Sequence, residues 1–401
     1  MVLAQTLKSK LGSLFLSVVI CSNAGISLSQ AQGQGPAPGE DVSQPAEHIF
    51  DLEYKPSGFN LNVPIRPSFE EALFEKEPDF GQRNVVRGLI PTGTDEKDHT
   101  GFMWDRSEGK LYLDLNRNRD LTDDPNGVFE SASTGPYQSF GNIRLQAPLD
   151  SVRLPFMLEM SIYDYGRGRP VCYVNVLSSF SGEIDLHGKK WYIAIADNMD
   201  GKLGRGDHFV LTPLGLNFGS RADQPSLLVC KTIFFGEHDY DVSFDFQPGE
   251  TKPLLRATFR EIVRPMGKLD IEGRFIHRLV LQTGSSLALL DSPEANVSIP
   301  AAGYHCRSVY LDGGESGLFR AVSDRSPVSI SENESTRLKI GGPLSNTVEV
   351  QRMAGSLTLN YKLIGVGGNT YESLRGRSEK PPTFAIYKAD EEIAAGEFEY
   401  G

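Results

Sequence analysis

The sequence predicts an all-β chain built of tandem antiparallel sandwich or barrel-like domains. Three observations carry this. Apolar and polar residues alternate in many short runs, the pattern of a strand with one face in a core and one in water. Gly, Pro, Asn and Asp punctuate those runs, drawing on 41 Gly and 24 Pro to make the turns. Only one segment has a helical signature.

Taken in order, the first element is an export signal over residues 1–31. Lys8 and Lys10 precede the apolar run Leu11–Ile20, which is too short to span a bilayer and has the length of a cleaved signal core. Small residues follow at Ser22 and Ala24, and again at Ser29 and Ala31. Cys21 raises the idea of a lipid anchor, but Ile20 stands where lipidation wants a small residue, which argues against it. No later run reaches the roughly 18 apolar residues of a membrane helix, so the reading is a secreted or periplasmic protein with no transmembrane segment. Residues 32–48 lack apolar periodicity and read as a disordered leader.

Residues 67–77 read as the one helix, with Ser68 as N-cap and Glu71 completing a capping box. Strands are expected at Lys110–Leu115, Phe156–Ile162, Val171–Val176, Trp191–Ile195, Val242–Phe246 and Leu357–Tyr361, where alternation is regular. Breaks near residues 181 and 296 divide the chain into β domains at 49–181, 182–295 and 296–401, with residue 268 as an alternative for the second break. In the last hundred residues strands are expected at Cys306–Leu311, Val328–Ile330, Leu338–Ile340, Val348–Val350, Leu357–Leu363, Phe384–Lys388 and Ile393–Tyr400.

The formal charge is −12, and removing Lys8 and Lys10 with the signal takes it to −14 (−12 − 2). With no basic cluster, such a surface is repelled by phosphate backbones, and nucleic acid is excluded as a partner. Cys172, Cys230 and Cys306 remain after maturation, an odd number in apolar surroundings. They read as buried thiols in preference to a disulfide framework.

One motif carries chemistry. In Asp114–Asp124, oxygen-bearing side chains fall at loop positions one, three and five: Asp114, Asn116 and Asn118. Asp120 would offer its backbone carbonyl at seven, Leu121 is an apolar anchor, and Thr122 stands at nine. A hard cation needs six to eight oxygens, and alternate residues on a tight loop can aim theirs inward together. Arg119 replaces the usual turn glycine and Pro125 the bidentate acid, so Asp123 or Asp124 has to supply that ligand. A second loop after Trp191–Ile195 offers Asp197, Asn198 and Asp200, followed by Gly201 and Leu203. Ala196 leaves its first position empty, with Asp197 and Asp207 able to compensate. The ion expected is Ca2+ in a structural role, favoured for the first loop, while an ordinary polar hairpin turn is the alternative there and the favoured reading of the second.

These loops resemble the calcium loops of EF-hands and dockerins, although they follow strands where an EF-hand has a helix. The segment Pro300-Ala301-Ala302-Gly303-Tyr304 resembles a turn common in immunoglobulin-like and prealbumin-like modules. The whole is similar to secreted bacterial multi-β-domain proteins that carry such loops and a terminal immunoglobulin-like module. The resemblance implies a C-terminal sandwich over 296–401 and brings no activity with it.

Other constellations are weaker. Glu237-His238-Asp239-Tyr240-Asp241 gathers acids and a histidine, but strand neighbours point to opposite faces, so His238 and Asp239 do not converge simply. His305-Cys306 fails as a nucleophile–base pair for the same reason. No catalytic residue is assigned. The function expected is binding or scaffolding at the cell envelope or outside the cell, with envelope polysaccharide or protein as the partner class. The alternative is a secreted hydrolase of polysaccharide or another polymer, which would need two carboxylates about 5–10 Å apart in a cleft.

Overall fold

The computed structural model describes residues 45–57, 64–70, 73–164, 166, 170–204, 206–216, 226–249, 252–314, 317–321, 327–353, 356–374, 382–388 and 390–398. The expected signal peptide, Cys21 and all but the last residues of the expected leader lie outside these. The described residues are almost entirely strand, with two single-turn 3-10 segments, Glu96–Asp98 and Pro125–Gly127, as the helical content. None of the described helices is long and apolar enough to cross a membrane.

The described residues divide into two compact units, one within Ala46–Asn346 and Leu363–Leu374, the other within Thr347–Lys362 and the described part of 375–401. Within the larger unit, the principal sheet runs from Leu227–Leu228 through His208–Pro213, Lys189–Ala196, Ser179–Leu186, Glu47–Lys55, Leu254–Glu261, His238–Gln247 and Thr232–Phe235. It continues through Ser286–Asp291, Ile276–Gln282, Ala302–Asp312 and Leu318–Ala321 to Thr370–Ser373. Three smaller sheets accompany it: Pro64–Ile65, Val171–Val176, Val152–Tyr163 and Tyr137–Leu149; Ser68–Phe69, Val85–Ile90, Thr100–Asp105, Lys110–Leu113 and Val128–Glu130; and Asn296–Pro300, Met266–Glu272 and Ser335–Lys339. Pairing is antiparallel except where Thr232–Phe235 meets Ser286–Asp291 and where Met266–Glu272 meets Ser335–Lys339.

Alternation explains the core. Along Glu47–Lys55, His48, Phe50, Leu52 and Tyr54 turn inward while Ile49, Asp51 and Glu53 face water. Leu255, Ala257 and Phe259 do the same on the neighbouring Leu254–Glu261. These rows meet Phe102, Trp104, Phe140, Leu158, Trp191 and Phe209 in one apolar cluster, while Leu269, Leu279, Ile299, Tyr304 and Val309 anchor a second. Two polar pairs sit inside: the Trp104 indole donates to Gln138 Oε1 at 2.7 Å, both fully buried. Arg278, also fully buried, holds Asp291 with two bonds of 2.5 and 3.0 Å and donates to the Leu211 carbonyl at 2.9 Å. In the smaller unit, Thr383–Lys388 and Glu391–Glu397 form a hairpin, with the Phe398 ring 5.1 Å from Phe384 and 5.3 Å from Tyr361.

The strand expectations locate strands in the structure, with Val171–Val176 reproduced to the residue. Lys110–Leu115 is shortened to Lys110–Leu113, Leu338–Ile340 is shifted to Ser335–Lys339, Ile393–Tyr400 falls on Glu391–Glu397, and the others are lengthened. Two expectations are corrected. Residues 67–77 form no helix where they are described. Ser68–Phe69 pairs with Gly88 and Leu89, and the backbone of Glu75 and Lys76 bonds instead to Arg119 and Leu121. Docking this stretch against the acidic loop uses the groups that a helix would have bonded internally, and Ser68 Oγ reaches Glu70 instead of an N-terminal amide. The leader ends earlier than residue 48, because Glu47 and His48 already pair with Arg260 and Phe259. The strand Glu47–Lys55 also pairs with Ser179–Leu186, so residues on both sides of the break expected near 181 share one sheet. Asn296–Pro300 likewise pairs with Met266–Glu272 across the break expected near 296.

Candidate metal centres

Both acidic loops begin at the first residue after a strand, and both are closed by an aspartate ten residues on. Asp114 follows Lys110–Leu113 and Asp197 follows Lys189–Ala196. Asp124 Oδ2 accepts from the Leu115 N–H at 3.1 Å, and Asp207 Oδ1 accepts from the Asn198 N–H at 2.9 Å. In each loop, therefore, the closing carboxylate caps the residue just after the opening one. All four aspartates are buried.

In the first loop the carboxylates are largely occupied by the loop itself. Asp114 accepts from the N–H groups of Asn118 at 3.1 Å and Arg119 at 3.0 Å. The side-chain oxygens of Asn116, Asn118 and Asp120 cap Asn118, Asp120 and Thr122 in turn, at 2.9, 2.8 and 3.0 Å. The amides of Asn116 and Asn118 donate to Asp123 at 3.0 and 2.6 Å. Asp114, Asn116, Asn118, Asp123 and Asp124 thus converge. The side chains of Asp120 and Thr122 do not, since Asp120 bonds Lys76 at 2.7 Å and Thr122 at 2.5 Å. The Lys76 bond, with that to Thr122, holds the Asp120 carboxyl down at about 2. Its side chain is committed elsewhere, in keeping with a backbone role for position seven. Arg117 and Arg119 sit at φ 60 and 66°, the left-handed conformation that the missing glycine would have supplied, adopted here at some cost. Gly127 has to be glycine: a Cβ there would lie 2.3 Å from the Leu113 carbonyl oxygen.

The second loop is less satisfied. Asp197 Oδ1 accepts from the Met199 N–H at 2.5 Å, whereas its Oδ2 is buried without a hydrogen-bond partner. Asp207 accepts from Asn198 and, at 2.7 Å, from Gly204. Asn198 and Asp200 cap Asp200 and Lys202 at 2.8 and 3.0 Å. Burial pushes the Asp207 carboxyl up to about 7 despite its two amide bonds, with Asp200 adding repulsion. Burial, then the charges of Asp207 and Asp200, lifts Asp197 well above the carboxylate range. Two buried carboxylates crowded in this way would be relieved by a cation between them. The same causes act more weakly in the first loop, where burial and the neighbouring Asp114 and Asp123 raise Asp124.

A segment around residues 92–98 connects the loops. The Gly93 N–H donates to the Met199 carbonyl at 2.6 Å, and the Asp98 carbonyl accepts from Arg117 Nε at 2.9 Å. Gly201, at φ 88°, lies against Gly93 and accepts from Asp150 at 2.9 Å.

The aspartate spacing common to both loops was present in the sequence, but matching the loops to an EF-hand register placed Ala196 at the opening position and obscured it. Aligned on the strand ends, Asp197 corresponds to Asp114 and Asp207 to Asp124. Of the group Glu237–Asp241, Asp239 turns away from His238 as strand geometry requires and forms a two-pronged ion pair with Arg264. The described cysteines, Cys172, Cys230 and Cys306, are buried and none is in a disulfide, and burial pushes the Cys230 thiol up to about 12. No protein-family model, curated protein or solved structure matches the chain.

Proposed function

We propose that this chain is an exported β-scaffold whose two acidic loops hold calcium, and that it serves in binding at the cell envelope or outside the cell. The observation that carries the calcium reading is the Asp197–Asp207 pair: two buried carboxylates, one with an unpartnered oxygen, in a loop with further oxygens at Asn198 and Asp200. The donor set is all oxygen, the chemistry a hard cation takes. Asp114, Asn116, Asn118, Asp123 and Asp124 would hold a second ion, with Asp120 contributing its carbonyl. Each ion would neutralise a charge excess in a loop that joins two strands, and so fix the hairpins on which it sits.

Binding is favoured over polymer hydrolysis by a row of tyrosines across three adjacent strands. Tyr137 and Tyr163 lie opposite one another with ring centroids 4.8 Å apart, and Tyr173 follows at 6.0 Å. Tyr137 and Tyr173 are exposed. Such a face presents apolar rings with polar edges, a surface suited to sugar rings or to an extended protein segment.

Thermal unfolding of the chain with and without excess calcium tests the reading. At a hundred times its dissociation constant, an ion that binds only the folded state adds about 2.7 kcal/mol. The shift should shrink in Asp197→Asn and in Asp114→Asn, and vanish in the double variant. An unfolding temperature indifferent to calcium in the parent protein would reduce both loops to hairpin turns.

A further inference from the structure

At one end of the principal sheet, three inward-facing rows stop being apolar and end on metal-ligating side chains. Along Glu47–Lys55 the row Tyr54, Leu52, Phe50 ends at His48. Along Leu254–Glu261 the row Leu255, Ala257, Phe259 ends at Glu261. Along His238–Gln247 the row Phe246, Phe244, Val242, Tyr240 ends at His238. These strands are neighbours, in the order Glu47–Lys55, Leu254–Glu261, His238–Gln247. A fourth residue, His187, comes from the two-residue turn joining Ser179–Leu186 to Lys189–Ala196, where His187 and Gly188 have φ of 53 and 73°. That turn type matches strand twist and aims its first side chain back over the sheet end.

The imidazoles converge on one oxygen. Glu261 Oε1 lies against His187 Nε2, 3.6 Å from His238 Nδ1 and 4.0 Å from His48 Nε2. The ligating atoms of His48, His187 and Glu261 all lie within 4.8 Å of one another. The rings of His187 and His238 are stacked, 3.8 Å apart and 5° from parallel, while His48 meets His187 edge-on at 5.4 Å. Despite this crowding, Glu261 Oε1 accepts no hydrogen bond, and His48 Nε2 has no hydrogen-bond partner, although both atoms are buried. Buried lone-pair atoms without hydrogen-bond partners, gathered this closely, suit a bound cation. The side chains themselves remain 27–37% exposed, which leaves a path for entry.

We propose that His48, His187 and Glu261 form a site for a transition-metal ion of the zinc class, distinct from the acidic loops. Two imidazoles and a carboxylate suit zinc, copper or nickel and are a poor set for calcium. Tetrahedral ligands at about 2.0–2.1 Å from zinc stand about 3.3 Å apart, a spacing these atoms, all within 4.8 Å of one another, reach by modest side-chain adjustment. The stacking of His238 on His187 makes it a positioning residue for that ring. Three protein ligands leave a fourth position open to water or a ligand.

The test is zinc and cobalt titration of the full chain in excess calcium, followed by calorimetry and by the visible absorption of bound cobalt. His187→Asn removes the imidazole while keeping a residue at ease in left-handed backbone, and Glu261→Gln preserves shape. Circular dichroism confirms that each is folded. The expected result is one high-affinity ion per chain, weakened about tenfold or more in both variants and unchanged in Asp197→Asn, with cobalt bands characteristic of nitrogen and oxygen ligands. Absence of zinc binding at tens of micromolar, or equal affinity in the parent and both variants, would overturn the assignment. So would zinc binding that Asp197→Asn abolishes.

Discussion

The Asp197–Asp207 pair predicts an unusual pH dependence for the calcium-free protein. Burial sets the Asp207 carboxyl at about 7, against 3.8 ordinarily. The folded chain therefore holds a proton that the unfolded chain releases across this interval, and stability falls as pH rises through it. The contribution is fully present below the unfolded value and lost above about 7. The slope is about 1.4 kcal/mol per pH unit, roughly 4 kcal/mol in all from Asp207. Burial and the charges of Asp207 and Asp200 raise Asp197 as well, so its contribution has the same sign. Calcium competes with these protons, and its affinity should increase from pH 5 to pH 8. The assay is urea unfolding in chelator at several pH values, comparing the parent with Asp207→Asn and with Asp197→Asn. Each variant removes one of the two titrating carboxyls, so each parent-minus-variant difference isolates that group from histidine titrations elsewhere. A difference that stays flat from pH 5 to pH 8, or a calcium affinity independent of pH, would refute the reasoning.

Three further outcomes follow from the core and its polar contacts. Asp291→Ala strands the fully buried Arg278 guanidinium and should cost about 3–5 kcal/mol in urea unfolding. Gln138→Leu leaves the Trp104 N–H unpaired in the core, with an expected loss of about 1–3 kcal/mol in the same assay. Cys172, Cys230 and Cys306 are buried outside any disulfide and should resist a thiol reagent in the native protein, reacting together once it is denatured.

The class of the fold was legible because alternation is a local signal. Each of the runs around Tyr112, Met160, Tyr173, Ile193 and Phe244 states by itself which face is buried. Sheet order was not legible, since Glu47–Lys55 pairs with strands more than a hundred residues away and nothing in its own sequence names those partners. The false helix at 67–77 has a related cause. Its spacing suits a helix, but docking against Arg119 and Leu121 offered its amides other partners, a competition that local propensity does not register. The acidic loops were visible as oxygen-rich turns, yet the weaker sequence match became the loop with the unsatisfied carboxylate. What distinguishes it is burial, and burial depends on the Gly93 and Asp150 backbone packed over it. The histidine cluster was hidden most completely, because its members come from three strands and a turn that are separate in the sequence. The available signal was that inward-facing rows end at His48, His238 and Glu261.

The most direct test of the account is the number of calcium ions bound per chain at saturation, measured by equilibrium dialysis at pH 7.5. The account predicts two, falling to one in Asp207→Asn and to one in Asp124→Asn. No bound calcium in the parent protein, or a stoichiometry that neither substitution changes, would contradict it.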